Sequence, residues 1–137
     1  MNPYSIVWAP IPCISIIPII GHMGITDSNG IIYDFGGSYF INIDQQNTSF
    51  GAPTRHYSLG LELLQDQIER WDGCIQKYSQ QYKVMQYSLF TNNCHHFIIN
   101  ILYDLKIINS LSVLRFTLKY RPYMIKFKSV KVQQLYD

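Results

Sequence analysis

The chain has 137 residues, 47% apolar and 15% charged, with a formal net charge of +2 at neutral pH. That length supports one domain with a real core and leaves little for a second, and so small a net charge gives no reason to expect a nucleic-acid partner. Cys13, Cys74 and Cys94 are odd in number and widely spaced, which excludes a disulfide framework and a Cys-x-x-Cys metal pair and fits a reducing, cytosol-facing setting.

In chain order, 6–20 is the most apolar run, but Pro10, Pro12 and Pro18 interrupt it. It is too short and too broken for a spanning helix, and it lacks the basic leader of a signal peptide. Extended, buried or interfacial chain is the expectation. Next, Gly21-His22-Met23-Gly24-Ile25-Thr26 and Ile31-Ile32-Tyr33-Asp34-Phe35 flank Asp27-Ser28-Asn29-Gly30, a hairpin signal. Two registers are open. A two-residue Asn29-Gly30 loop puts His22 and Asp34 on opposite faces. A three-residue loop with a left-handed Gly30 pairs Asp27 with Ile31 and brings His22 diagonally beside Asp34.

Gly36-Gly37 predicts a turn into a third strand over 39–43, and 44–53 reads as loop. The Asn47-Thr48-Ser49 triplet matches a glycosylation acceptor that would matter only facing a lumen. From 60 to 82, Leu61, Leu64, Ile68, Trp71, Ile75 and Tyr78 recur at spacings of three and four, an amphipathic helix that Gly73 could bend. Cys74 lies beside that stripe and reads as core packing. A strand is expected over 82–90 and a buried helix over 94–107, capped by Asn92 or Asn93. The tail alternates Phe116, Leu118 and Tyr120 with Arg115, Thr117, Lys119 and Arg121, then shifts parity after Pro122. Two half-apolar strands fit that pattern, and a division into 1–110 and a basic 111–137 follows. Arg115, Lys119, Arg121, Lys126, Lys128 and Lys131 are uninterrupted by acid, which suits an anionic membrane surface or a solvated face.

One thiol has chemistry in prospect. Cys94 would sit in the first turn of a helix, where unpaired N–H groups and the helix dipole favour a thiolate. His22 could exchange its proton, Asp34 could orient His22, and backbone N–H groups near Asn92, Asn93 and Cys94 could hold an oxyanion. Each has a structural alternative: Cys94 as a buried hydrophobe, His22 as a core histidine, Asp34 as a turn acid. His95 and His96 are adjacent on a helix, so their side chains diverge by about 100° and make poor joint metal ligands. His56 has no evident partner. No metal site or cofactor is expected.

Six ordered pieces, Trp8-Ala9-Pro10-Ile11-Pro12, Ile20-Gly21-His22-Met23-Gly24-Ile25, Asp34-Phe35-Gly36-Gly37, Phe50-Gly51-Ala52-Pro53-Thr54-Arg55, Trp71-Asp72 and Asn92-Asn93-Cys94-His95, resemble the reversion-to-ethylene-sensitivity and transmembrane protein 222 family. That family is similar in turn to circularly permuted papain-like proteins of NlpC/P60 type, among them desumoylating isopeptidases and lecithin–retinol acyltransferase relatives. The acyltransferase relatives carry a second polar residue twelve positions after the first histidine, which falls on Asp34 and supports the three-residue turn. The resemblance implies an α+β fold, a small antiparallel sheet on two main helices. It implies one of two functions. The first is a cysteine-dependent hydrolase or acyl-transfer enzyme (thioester, amide or isopeptide) acting on an acylated or ubiquitin-like-modified protein. The second is a non-catalytic, membrane-associated regulator of a receptor pathway. It also implies a Golgi or endoplasmic reticulum location with the domain facing the cytosol. Family members continue into hydrophobic membrane helices, whereas this tail is basic and alternating.

Overall fold

The computed structural model describes residues 1–11, 21–59 and 65–127. Its centre is β1 (Ser5–Ala9), five residues all buried. Ile6, Val7 and Trp8 are β-branched or aromatic, and both edges of the strand are paired, so it reads as continuous apolar sequence rather than as an alternation. The remainder of the apolar run, 12–20 with Cys13 and Pro18, lies outside the described residues.

β1 pairs antiparallel with β2 (His22–Thr26) on one side and β5 (Arg55–Ser58) on the other. β2 turns into β3 (Ile32–Gly37), which pairs with β4 (Phe40–Asp44). A two-residue β6 (Ile125–Lys126) closes the far edge against β5, giving the order β4-β3-β2-β1-β5-β6. All pairs are antiparallel, and the class is α+β as expected.

The hairpin takes the three-residue register. Ile25 pairs with Tyr33 and Thr26 with Ile32, and Asp27 N donates to Ile31 O at 3.0 Å. Gly30 has φ +77°, left-handed backbone that a side chain would strain. The Asp27 carboxylate accepts from the Asn29 and Ile31 N–H groups, both at 2.9 Å, and closes the turn. Continued, this register sets Asp34 opposite Gly24, with His22 diagonal to it on the same face. Gly36 and Gly37 lie inside β3 rather than in the turn, at a register shift that follows Phe35. Ser38 and Tyr39, the latter at φ +61°, make the turn itself.

Among the described residues three helices cover one face of the sheet. α1 (Gln65–Tyr82) runs unbroken through Gly73 and buries Trp71, Cys74 and Ile75. α2 (Cys94–Asp104) buries Phe97, Ile98, Ile101 and Leu102. These meet Ile6, Trp8, Met23, Ile25, Tyr33 and Phe35 from the sheet in one core. Burying this much apolar surface supplies the main driving force for folding.

Two expected elements are otherwise. Residues 83–90 form turns rather than a strand. Their polar backbone is tied to the β3–β4 turn instead of a ladder, through Tyr39 N to Met85 O at 2.8 Å and Tyr87 N to Ser38 Oγ at 2.8 Å. The tail alternation is a helix, α3 (Val113–Tyr120), with Ser112 as its N-cap. Phe116 and Tyr120, four residues apart, reach the core together, and that spacing outweighs the two-residue rhythm. Among the described residues no helix is long and apolar enough to cross a membrane.

Candidate functional site

Cys94, His22 and Asp34 meet at the start of α2. Asn93 has extended backbone (φ −118°), and its side-chain oxygen accepts from His95 N at 2.9 Å and His96 N at 3.4 Å. His96 returns the contact by accepting from Asn93 N through Nδ1 at 3.1 Å. This is a capping box with imidazole where Glu or Gln usually stands. Burial, then the neighbouring His95, hold the His96 pKa down, which keeps that nitrogen an acceptor. Asn92 does not cap. Its amide donates to Gln86 O at 3.0 Å and braces the preceding loop.

The imidazole of His22 is fully buried. Its Nε2 lies 2.6 Å from Asp34 Oδ2, and a carboxylate there holds the ring proton on Nε2. That leaves Nδ1, buried and without a conventional hydrogen-bond partner, as the atom able to accept the thiol proton. Asp34 is itself held on both oxygens. Oδ1 accepts from Asn42 Nδ2 at 2.8 Å, and Oδ2 accepts from Ser49 N at 3.0 Å and Ser49 Oγ at 2.5 Å. Each donor satisfies a buried lone pair that would otherwise be costly.

The electrostatics follow from these contacts. Burial draws the His22 pKa down, but the Asp34 carboxylate and then the Cys94 sulfur more than offset it, raising the pKa from 6.5 to about 9. Burial pushes the Cys94 thiol up, and the His22 and His95 imidazoles overcome that, holding it well below its ordinary value. Imidazolium and thiolate therefore stabilise each other.

Three neighbours close the site. His95 Nδ1 is 3.4 Å from Cys94 Sγ, so this histidine, set aside as a metal ligand, acts on the thiol instead. The Phe50 ring packs on His22 with centroids 4.7 Å apart. Tyr87 is an electrostatic neighbour of the Cys94 thiol, and its own pKa is raised by burial and then by Cys94. Cys94 is 3% exposed and His22 0%. The constellation can move a proton, with its thiol and imidazole almost wholly covered.

Sequence reasoning names Cys94, His22, Asp34 and Asn93, and the structure brings these four together. It misses Asn42, Ser49, Phe50, Tyr87 and the thiol contact of His95. Asn42 had a faint signal, since it sits opposite Asp34 on β4. Ser49, Phe50 and Tyr87 come from loops whose path the sequence does not reveal. Among the described residues no cluster of three or more His, Cys, Asp or Glu is placed to hold a metal.

The basic tail is divided by the fold. Arg115, Lys119 and Lys126 are exposed, Arg121 is buried, and Lys128 and Lys131 lie outside the described residues.

Compared with known proteins, the chain matches the profile of a family described as RTE1-like over residues 1–68 and 61–121. The Arabidopsis thaliana protein Reversion-to-Ethylene Sensitivity1 is 33% identical to it over 120 residues, covering 73% of this chain and 47% of that protein. The chain thus spans about half the length of this curated relative. No solved structure matches.

Proposed function

The chain belongs to the RTE1-like family, and on that premise we propose that it is a non-catalytic, membrane-associated regulator of a receptor or membrane-protein pathway. In this reading a circularly permuted papain-like fold is kept for binding. The observation that carries it is a thiol–imidazole pair that is assembled yet sealed, with Cys94 at 3% and His22 at 0% exposure. A thiol hydrolase needs a carbonyl beside the sulfur and a free N–H to receive the oxyanion. Phe50 covers the imidazole, and Tyr87 is an electrostatic neighbour of the thiol. The name of the Arabidopsis relative, which refers to ethylene sensitivity, supports a part in signal response. The buried network then serves to fix the start of α2 and the loops around it as a binding surface. Exposed Arg115, Lys119 and Lys126 support attachment to an anionic membrane, on the cytosolic side of the Golgi or endoplasmic reticulum.

The arrangement of Cys94, His22 and Asp34 favours one second reading, a thiol hydrolase or acyl-transfer enzyme that opens when substrate or partner arrives. Alkylation kinetics at neutral pH together with complementation separate the two. The regulator reading expects Cys94 to label no faster than Cys74 in the native chain, and Cys94→Ser to restore signalling in cells lacking the protein. Rapid labelling of Cys94 that His22→Ala abolishes, with no rescue by Cys94→Ser, would falsify it in favour of the enzyme.

A further inference from the structure

Trp8 of β1, Arg55 of β5 and Lys126 of β6 form one row across the sheet. Trp8 pairs with Arg55 and Arg55 with Lys126, and directly opposed residues of antiparallel strands project from the same face. Arg121, from the 3-10 turn after α3, comes down on this row with its guanidinium 4.6 Å from the Trp8 ring centroid. Three cations thus gather at one end of the sheet, remote in sequence but adjacent in register.

No ion pair among the described residues joins them to an acid. Among the described residues the ion pairs are His22–Asp34 and Lys77–Asp104. Asp27 closes its own turn, Asp72 holds Ser28, and Asp44 caps the loop that follows it. Arg121 is only 9% exposed, and its Nε is buried without a hydrogen-bond partner. Burial, then the charge of Arg55, draw its pKa below the ordinary value, so the two guanidinium groups are electrostatic neighbours.

A buried, unpaired guanidinium donor beside two more cations is costly unless an anion completes it. Stacking on Trp8 holds the planar fork in place before any ligand arrives. The Trp8 Nε1 is also unpartnered, but the indole lies so close to Gly21 that a Cβ there would fall 1.9 Å from that nitrogen. The indole is therefore a platform, not a donor in the site. Three positive charges and a bidentate fork suit a doubly charged phosphate better than a single carboxylate.

We propose that Arg121, Arg55 and Lys126, seated on Trp8, form a binding site for a phosphate monoester group. The site is separate from Cys94 and stands whether that thiol is structural or catalytic. The phosphate could be carried by a lipid headgroup such as phosphatidic acid or by a soluble molecule, and the test distinguishes them.

Inorganic phosphate is titrated into the full chain at constant ionic strength, followed by calorimetry. Phosphatidylcholine vesicles with phosphatidic acid, or with phosphatidylserine at matched charge, are used in co-sedimentation. Saturable phosphate binding is expected, weakened about tenfold by Arg55→Gln and by Lys126→Gln, the loss of one charge-assisted contact. These two side chains are half-buried and exposed, so both variants should fold. Arg121→Lys keeps the charge, removes the fork and should bind less tightly than wild type. Retention on phosphatidic acid vesicles, released by inorganic phosphate, assigns a lipid source. Phosphate binding without vesicle retention assigns a soluble one. The proposal fails if phosphate and vesicles both leave the chain unbound, or if Arg55→Gln and Lys126→Gln bind as wild type. Equal retention on both charged vesicles that neither variant weakens also overturns it, since that is bulk attraction.

Discussion

Cys74 and Cys94 are both buried free thiols on helices packed against the same sheet. Burial pushes each thiol up, yet the two end on opposite sides of the ordinary value. Cys74 is raised to about 11, with the Asp104 carboxylate adding to the effect of burial. At Cys94 the imidazoles of His22 and His95 reverse it. Desolvation is common to both, so the sign is set by the charge of the nearest neighbour. A cysteine at a helix start is no guide to reactivity until that neighbour is known.

The contrast can be broken most forcefully at Asp34. Asp34→Ala leaves His22, Asn42 and Ser49 with orphaned polar groups in a buried cluster. It should destabilise the fold by about 3 kcal/mol or more in urea unfolding, the scale of a broken buried pair. It should also raise the Cys94 pKa, read from ultraviolet thiolate absorbance.

A second test uses pH. A raised folded-state histidine pKa gives stability that is complete below 6.5 and lost as pH rises through about 9. A lowered cysteine pKa gives stability that is present above its unfolded value of 9.0 and lost as pH falls toward the folded one. In the coupled pair these slopes cancel between about 6.5 and 9, because the folded imidazolium–thiolate and the unfolded imidazole–thiol hold the same number of protons. Wild-type stability from this pair should be flat across that window and fall below 6.5. In Cys94→Ala the cancellation is gone, and stability should decline with rising pH through the same window. A flat profile in the variant would show that Asp34 without Cys94 does not hold His22 raised.

Asn93→Ala should cost about 1 kcal/mol through loss of the N-cap, measured by thermal unfolding, and should loosen the thiol's setting without removing either imidazole. The smallest effect belongs to the other cysteine. Lys77→Ala removes the exposed Lys77–Asp104 pair near Cys74, and the unfolding midpoint should not move measurably, since exposed ion pairs contribute little.

The central residues of the site were legible because each carries a local signal. An Asn before the buried helix marks the cap, and the Asn-Gly turn marks the hairpin that holds His22 and Asp34. The register was open in the strand pattern itself, where only the family resemblance favoured the three-residue turn, since it depends on the Asp27 side chain closing the turn behind a left-handed Gly30. The segment 82–90 has strand-forming residues, but its backbone bonds to the β3–β4 turn rather than to a strand. Its Tyr87 packs on Phe35 and beside Cys94 instead. In the tail, Phe116, Leu118 and Tyr120 satisfy a period of two while Phe116 and Tyr120 satisfy a helix. Ser112, as an N-cap three residues before Arg115, is the signal that separates the two. Leu114 and Leu118 remain exposed on the resulting helix, which an alternation alone would have placed in the core.

The hairpin also imposes a rule on insertions and deletions. His22 and Asp34 share a face only because the strand residues between them, less the three-residue loop, keep their parity. Gain or loss of one residue in β2 or β3 carries one partner to the opposite side of the sheet, whereas one change in each strand restores the match. The interval between these two residues can therefore lengthen or shorten in steps of two. No such counting binds the loops that lie between Asp34 and Cys94 outside β4, β5 and α1, and these can absorb single changes. Gaps inherited in this gene should be tolerated after β4 far more readily than inside the hairpin.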